Sequence, residues 1–266
     1  MRYFLELSYF GSNYSGWQRQ KDVITVQQVI EEKLSSIFKE TITVTGCGRT
    51  DAGVHASQYF LHFDRKESWE FDLIFRLNKC LPDDISIHSI LPVEARSHAR
   101  FDARKRDYDY FIHTNKNPFL RSASTLFTDD ILDIDLMVKG VEIIKRQTDF
   151  KAFCKKPELH KSTICIIYNV NLSTNKDNTK IRFHIEANHF LRGMIRILVG
   201  YLINIGTGKI TLETFESYFI SNERAKEFDV APPQGLYLSK IEYPYLKTET
   251  PDIFFGQKEE SWINRT

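Results

Sequence analysis

A chain of 266 residues with 42% hydrophobic and 27% charged residues has the make-up of an ordinary folded protein, far from the disordered regime. Its formal net charge of +1 excludes a uniformly basic surface, so a polyanionic partner would have to be met by local charge. The most apolar run, 197–203, is too short to span a bilayer, and the alternating start MRYFLELSYF does not read as a signal peptide. Cys47, Cys80, Cys154 and Cys165 show neither C-x-x-C spacing nor zinc-finger histidine pairing, so reduced thiols, no structural metal and a cytoplasmic setting are expected.

The first expected strand is 3–9, with Tyr3, Leu5, Leu7 and Tyr9 on one face and Glu6 and Ser8 on the other. Thr25 to Gln28 has the form of a capping box, and Val26, Val29, Ile30, Leu34, Ile37 and Phe38 then recur at helical spacing. The β-branched run TITVT (41–45) predicts a second strand, and Tyr59, Leu61 and Phe63 mark a third. A helix over 70–80, with Phe71, Ile74, Phe75 and Leu77 on one side, is stopped by Pro82, and 84–90 reads as a strand.

That order is β-α-β-β-α-β, the ferredoxin-like plan, and the second half repeats it. A strand over 107–113 leads to a helix over 135–146 with Val138, Val141 and Ile144 inward. Strands over 164–172 and 180–187 follow, then a long apolar helix over 190–205, a shorter one near 212–220 and a strand over 236–243. The expected fold class is α+β, two ferredoxin-like halves making one mostly antiparallel sheet with helices on one face. The halves are drawn at 1–95 and 96–245, with 246–266 as a tail whose Phe254, Phe255 and Trp262 suggest docking on the same chain or on a second copy.

One stretch carries chemistry. GCGRTDAGVHAS (46–57) puts Asp51 two residues from Arg49 among glycines and alanines. A hairpin turn at Asp51-Ala52-Gly53 would explain the glycines alone. A carboxylate held close to a guanidinium would stay ionised, and small neighbours would let a planar ligand approach it as nucleophile or base. A second feature is RSHARFDARKR (96–106), with five Arg/Lys against one Asp, either a solvated edge or a track for phosphates.

GRTDAGVH resembles the catalytic motif of the tRNA pseudouridine synthase A family. YFGSNYSGWQRQ (9–20), HARFDARKRDYDYFI (98–112), DFKAF (149–153), NHFLRGMIRILVG (188–200) and APPQGLYL (231–238) resemble its other blocks in the same order. The resemblance runs from Tyr3 to about Pro244 and implies the pseudouridine synthase fold. It implies that Asp51 attacks a uridine, at C6 of the base or at C1′ of the sugar. It makes Arg49 the residue that orients the aspartate and holds the place of a flipped nucleotide. Tyr108 is then the tyrosine that stacks on the uracil and can help remove the C5 proton, and Leu236 is an apolar wall of the base pocket. The reaction is an isomerisation that needs no cofactor. Its implied targets are uridines 38, 39 and 40 of the tRNA anticodon stem-loop, handled by a homodimer.

Taking a stacked base out of a helix costs a few kcal/mol, which phosphate contacts can offset. Candidates for those contacts are Arg100, Arg104, Lys105 and Arg106, with Arg19 in the first connection. Arg192 and Arg196 are expected on one helix face, and Arg196, inside an apolar stretch, needs a partner, Asp51 or a phosphate. His55 reads as structural support. Gly193 stands where relatives carry histidine or asparagine, and Ser162 where they carry arginine, with Lys155, Lys156 or Lys161 as substitutes for tRNA contact. The competing functions are a non-catalytic RNA-binding protein, disfavoured by strands without the aromatic RNP1 pattern, and a hydrolase, disfavoured by the lack of a second acid or histidine at a persuasive spacing.

Overall fold

The computed structural model describes residues 1–128, 131–223, 228–247 and 262–266, so Phe254 and Phe255 lie outside the described residues. The fold is α+β, and the chain divides into two compact units, Met1–Arg106 with the strand from Tyr237 onward, and Asp107–Leu236 with the C-terminal end. The first unit therefore continues past residue 95 and takes back a late strand.

In the first unit, β1 (Arg2–Tyr9) is central, with β3 (His55–Asp64) antiparallel on one side and β4 (Ile85–Val93) antiparallel on the other. The short β2 (Thr45–Gly46) lies on β3, giving the order β4-β1-β3-β2 of the ferredoxin-like plan. Helix α1 (Val26–Phe38) starts where Thr25 Oγ1 accepts the Gln28 amide, and it buries Val26, Ile30 and Leu34 completely. Each such side chain contributes roughly 1.5–3 kcal/mol on leaving water. The Gln28 side chain turns away to Glu32, so only half of the expected capping box forms.

The run 41–45 is not a strand over its length, for a local reason. Its amides are taken by side chains of α1: Ser35 Oγ accepts from Ile42 N at 2.9 Å and Glu31 Oε1 from Val44 N at 3.1 Å. Helix α2 (Leu73–Cys80), capped by Asp72, buries Leu73 and Leu77, whereas Phe75 is exposed, so the apolar face differs by two positions from the one expected.

The second unit carries β5 (Lys105–His113) from Asp107 onward, β6 (Thr125–Leu126), α3 (Ile134–Lys145), β7 (Ile167–Thr174), β8 (Lys180–Ala187), α4 (Met194–Gly206) and α5 (Leu212–Ser221). Its strands run β7-β8-β5, with β6 on β5. In β8 Ile181, Phe183, Ile185 and Ala187 are buried while the alternate Arg182, His184 and Glu186 are half-buried, the mark of one apolar and one polar sheet face. Met137, Val141 and Ile144 of α3 are buried; Val138, expected inward, is half-buried.

The remaining strands are β9 (Leu236–Glu242), parallel to β3 at His55 and Ala56, and β10 (Ile263–Asn264), paired with the end of β7. Trp262 lies 6.1 Å from the Phe111 ring, so this part of the tail docks on its own chain. No helix among the described residues is long and apolar enough to cross a membrane.

Candidate active site

The loop joining β2 to β3 is built from the outside by the segment 9–17. Thr50 is buried, its hydroxyl 2.8 Å from Tyr9 Oη, and its carbonyl accepts the Trp17 amide. The Gly53 amide donates to Tyr14 O, and Val54 N closes a turn on Asp51 O. Gly53 supplies the positive φ of 76° that such a turn needs at its third position. Gly11 and Gly16 let the two stretches touch: a Cβ on Gly11 would stand 2.0 Å from Val54 O, and one on Gly16 2.5 Å from Thr50 O. Beneath the loop, Trp17 stacks on Tyr59 at 4.0 Å, and the Tyr59 hydroxyl donates to Gly48 O at 2.6 Å.

Asp51 thus sits half-buried on a turn whose backbone is fixed on both sides. Arg49 is exposed. His55 is fully buried, its Nδ1 accepting the Gly11 amide at 2.9 Å and its ring between Phe10 and Tyr237. Burial pushes the Cys47 thiol up to about 11, so it is inert at neutral pH.

The basic stretch divides by geometry. Arg100 and Arg104 are exposed. Lys105 pairs with Glu242 at 3.0 Å, and Arg106 donates to the carbonyls of Cys47 and Arg100, both at 2.9 Å. Arg19 is tied to the buried Glu31 at 3.0 Å. Lys105, Arg106 and Arg19 thus each have a partner within the first unit.

In the second unit Tyr108 is half-buried, edge-on to Phe190 at 5.0 Å, and Leu236 is buried where β9 begins. Helix α4 begins at Met194, because Gly193 takes φ 73°, outside the helical region. Arg192 consequently lies in the preceding turn, exposed, and does not share a helical face with Arg196 as the spacing predicts. Arg196 Nε donates to Ala231 O at 2.7 Å, and Lys155 lies against Gly193. The structure places Arg49, Asp51, Arg19, Arg100, Arg104, Lys105 and Arg106 in the first unit, and Tyr108, Arg192, Arg196 and Leu236 in the second.

The polar face of the second unit holds a network the sequence reading missed. Asp109 is buried between Arg182 at 2.6 Å and His184 Nδ1 at 2.9 Å, and His184 Nε2 reaches Glu186 at 3.1 Å. Burial alone would raise the Asp109 carboxyl, yet these two partners hold it down at about 2. Burial works against the His184 imidazolium as well, but Asp109 and Glu186 raise its pKa. Ligand atoms of Asp107, His184 and Glu186 lie within 4.8 Å of one another, the only His/Cys/Asp/Glu group with metal-ligand spacing among the described residues.

Residues 7–102 and 147–244 match the profile of a protein family described as tRNA pseudouridine synthase. The chain is 38% identical over 246 residues to the tRNA pseudouridine synthase A of Porphyromonas gingivalis, covering 91% of this chain and 97% of that relative. It is 40% identical over 244 residues to the protein of the same name from Azobacteroides pseudotrichonymphae, covering 91% and 97%. The counterpart from Bacteroides thetaiotaomicron is 36% identical over 265 residues, covering 99% and 96%.

Proposed function

The chain belongs to the tRNA pseudouridine synthase family, and we propose that it isomerises uridines 38, 39 and 40 of the tRNA anticodon stem-loop with Asp51 as the nucleophile. The observation that carries the reading is the turn at Asp51, where the acidic residue of the family-like motif is braced by backbone hydrogen bonds from Gly53 N to Tyr14 O and from Val54 N to Asp51 O. A nucleophile held this way spends little freedom on reaching its target.

The reaction breaks the N1–C1′ bond, turns the uracil and joins C5 to C1′. C5 loses a proton and N1 gains one, so atoms and electrons balance without a redox partner. Asp51 carries the covalent step, by addition to C6 or to C1′. Tyr108 stacks on the uracil and assists loss of the C5 proton, and Leu236 walls the base on its apolar side. Arg49, exposed two residues before Asp51, orients the aspartate and fills the place of the flipped nucleotide. Arg100 and Arg104, both exposed, are the residues of the basic stretch suited to phosphate contact. A homodimer acting in the cytoplasm on one tRNA belongs to the same proposal, and sedimentation with and without tRNA tests the stoichiometry.

The positional claim is tested by incubating the enzyme with unmodified tRNA transcripts and mapping pseudouridine by carbodiimide adduct and primer extension. Stops confined to positions 38, 39 and 40 support it. Modification elsewhere in the tRNA overturns the target while leaving the chemistry standing.

A further inference from the structure

Loop 114–124 of the second unit closes over the end of β5 and the start of β8. It leaves a concavity of about 410 Å³ lined by His113, Asn115, Lys116, Asn117, Phe119 and Lys180, among others. Two features set it apart. Its lining holds two lysines and no carboxylate, in a chain whose acidic and basic residues are nearly equal in number. Beside them Phe119 is 94% exposed, the most exposed large hydrophobic side chain among the described residues.

Phe119 is not exposed because its loop is loose. Asn117 Oδ1 accepts the Phe119 amide at 3.0 Å, and Leu120 N returns to Asn117 O to close a turn at Pro118–Leu120. Ala123 and Ser124 both donate to Leu120 O, and β6 then pairs with the end of β5. His113 at the floor is fixed by Ser124 Oγ at 3.1 Å, and burial together with nearby Lys180 lowers its pKa, so it presents a neutral ring. An aromatic face held out to water by a pinned turn, above cations and amides, has the chemistry of a single-stranded nucleotide site: stacking for the base, charge for the phosphate.

We propose that this concavity binds an unpaired nucleotide of the tRNA substrate, its base stacked on Phe119 and its phosphate held by Lys116 and Lys180. Its lining includes none of the residues assigned to chemistry, and the proposal rests on the reading of the chain as a tRNA enzyme. It would raise affinity for tRNA without entering the reaction.

The test is binding of an unmodified tRNA transcript by fluorescence anisotropy at several salt concentrations, beside multiple-turnover kinetics. Phe119→Ala is expected to weaken binding about tenfold, in the range that loss of one stacking partner supports. Phe119→Trp should restore it, since any aromatic face serves. Lys116→Ala should lower the slope of log Kd against log salt by about one-half to one. In both weakened variants KM for tRNA rises while kcat at saturating tRNA holds. Binding within about twofold of wild type in Phe119→Ala and Lys116→Ala overturns the proposal, as does weakening that Phe119→Trp fails to repair; an acidic protein partner would give the first result. If the wild-type protein binds tRNA through this site but isomerises no uridine, the proposed function falls and the nucleotide site stands.

Discussion

Gly16→Ala tests whether the turn carrying Asp51 is held from outside. Gly16 has φ 87°, so an alanine there enters the left-handed region, and its Cβ would stand 2.5 Å from Thr50 O, 3.1 Å from Asp51 C and 3.2 Å from Ala52 N. All three neighbours are backbone, so none can swing away as a flexible side-chain end would. Ordinary contact begins near 3.4 Å, so the Thr50–Ala52 backbone must retreat by about 0.9 Å. The conformational cost is about 1–3 kcal/mol and the overpacking a further 1–3 kcal/mol. For a chain of this size that lowers the melting temperature by on the order of 10 °C. A displacement near 1 Å at the nucleophile costs on the order of 100-fold in rate. The assay pairs a thermal melt with single-turnover modification of tRNA at a temperature where the variant is folded. A variant that melts within about 1 °C of wild type and turns over at its rate would refute the bracing role of 9–17.

Two further predictions follow from geometry and burial. Arg106→Ala leaves the carbonyls of Cys47 and Arg100 without their donor and should destabilise the protein by about 1–3 kcal/mol, whereas the exposed Arg104→Ala should leave the melt unchanged. Arg104→Ala should instead weaken tRNA binding and lower its salt slope by about one, and a lower melt with unaltered tRNA binding would reverse the assignment. Burial, reinforced by Arg2 and His98, pushes the His62 imidazole down to about 4 from 6.5. The unfolded chain therefore takes a proton that the folded one refuses, so the His62 contribution is complete above pH 6.5 and is lost as pH falls from 6.5 towards 4. Urea midpoints across that window should fall less steeply in His62→Asn than in wild type; equal slopes would contradict it.

The two-fold α+β plan was legible because the strands and helices alternate with clear periods, from Leu5 and Leu7 on β1 to Ile30 and Leu34 on α1. TITVT misled because Glu31 and Ser35, one helix away, satisfy its amides in place of a neighbouring strand. The start of α4 misled because apolarity continues through Leu191 while Gly193 leaves helical φ, a feature that composition does not show. Arg49 and Asp51 stand out in the sequence, yet their relation does not, since two residues apart in a turn does not fix where side chains point. For Lys105 and Arg106 the sequence shows a basic run but not their partners, Glu242 and the Cys47 carbonyl, which lie far along the chain. The Asp109–His184 network left a faint trace, charges alternating in DYD and RFHIE, but only the pairing of distant strands turns it into a network.

The most direct test of the central claim is tritium release from C5-labelled uridine in unmodified tRNA, with wild type beside Asp51→Ala and Asp51→Asn. Joining C5 to C1′ displaces the C5 hydrogen, so release reports chemistry and not binding. Release by wild type, with none from either variant although both still bind tRNA, is the predicted result. Release that persists at the wild-type rate in Asp51→Asn would remove Asp51 from the nucleophile's place.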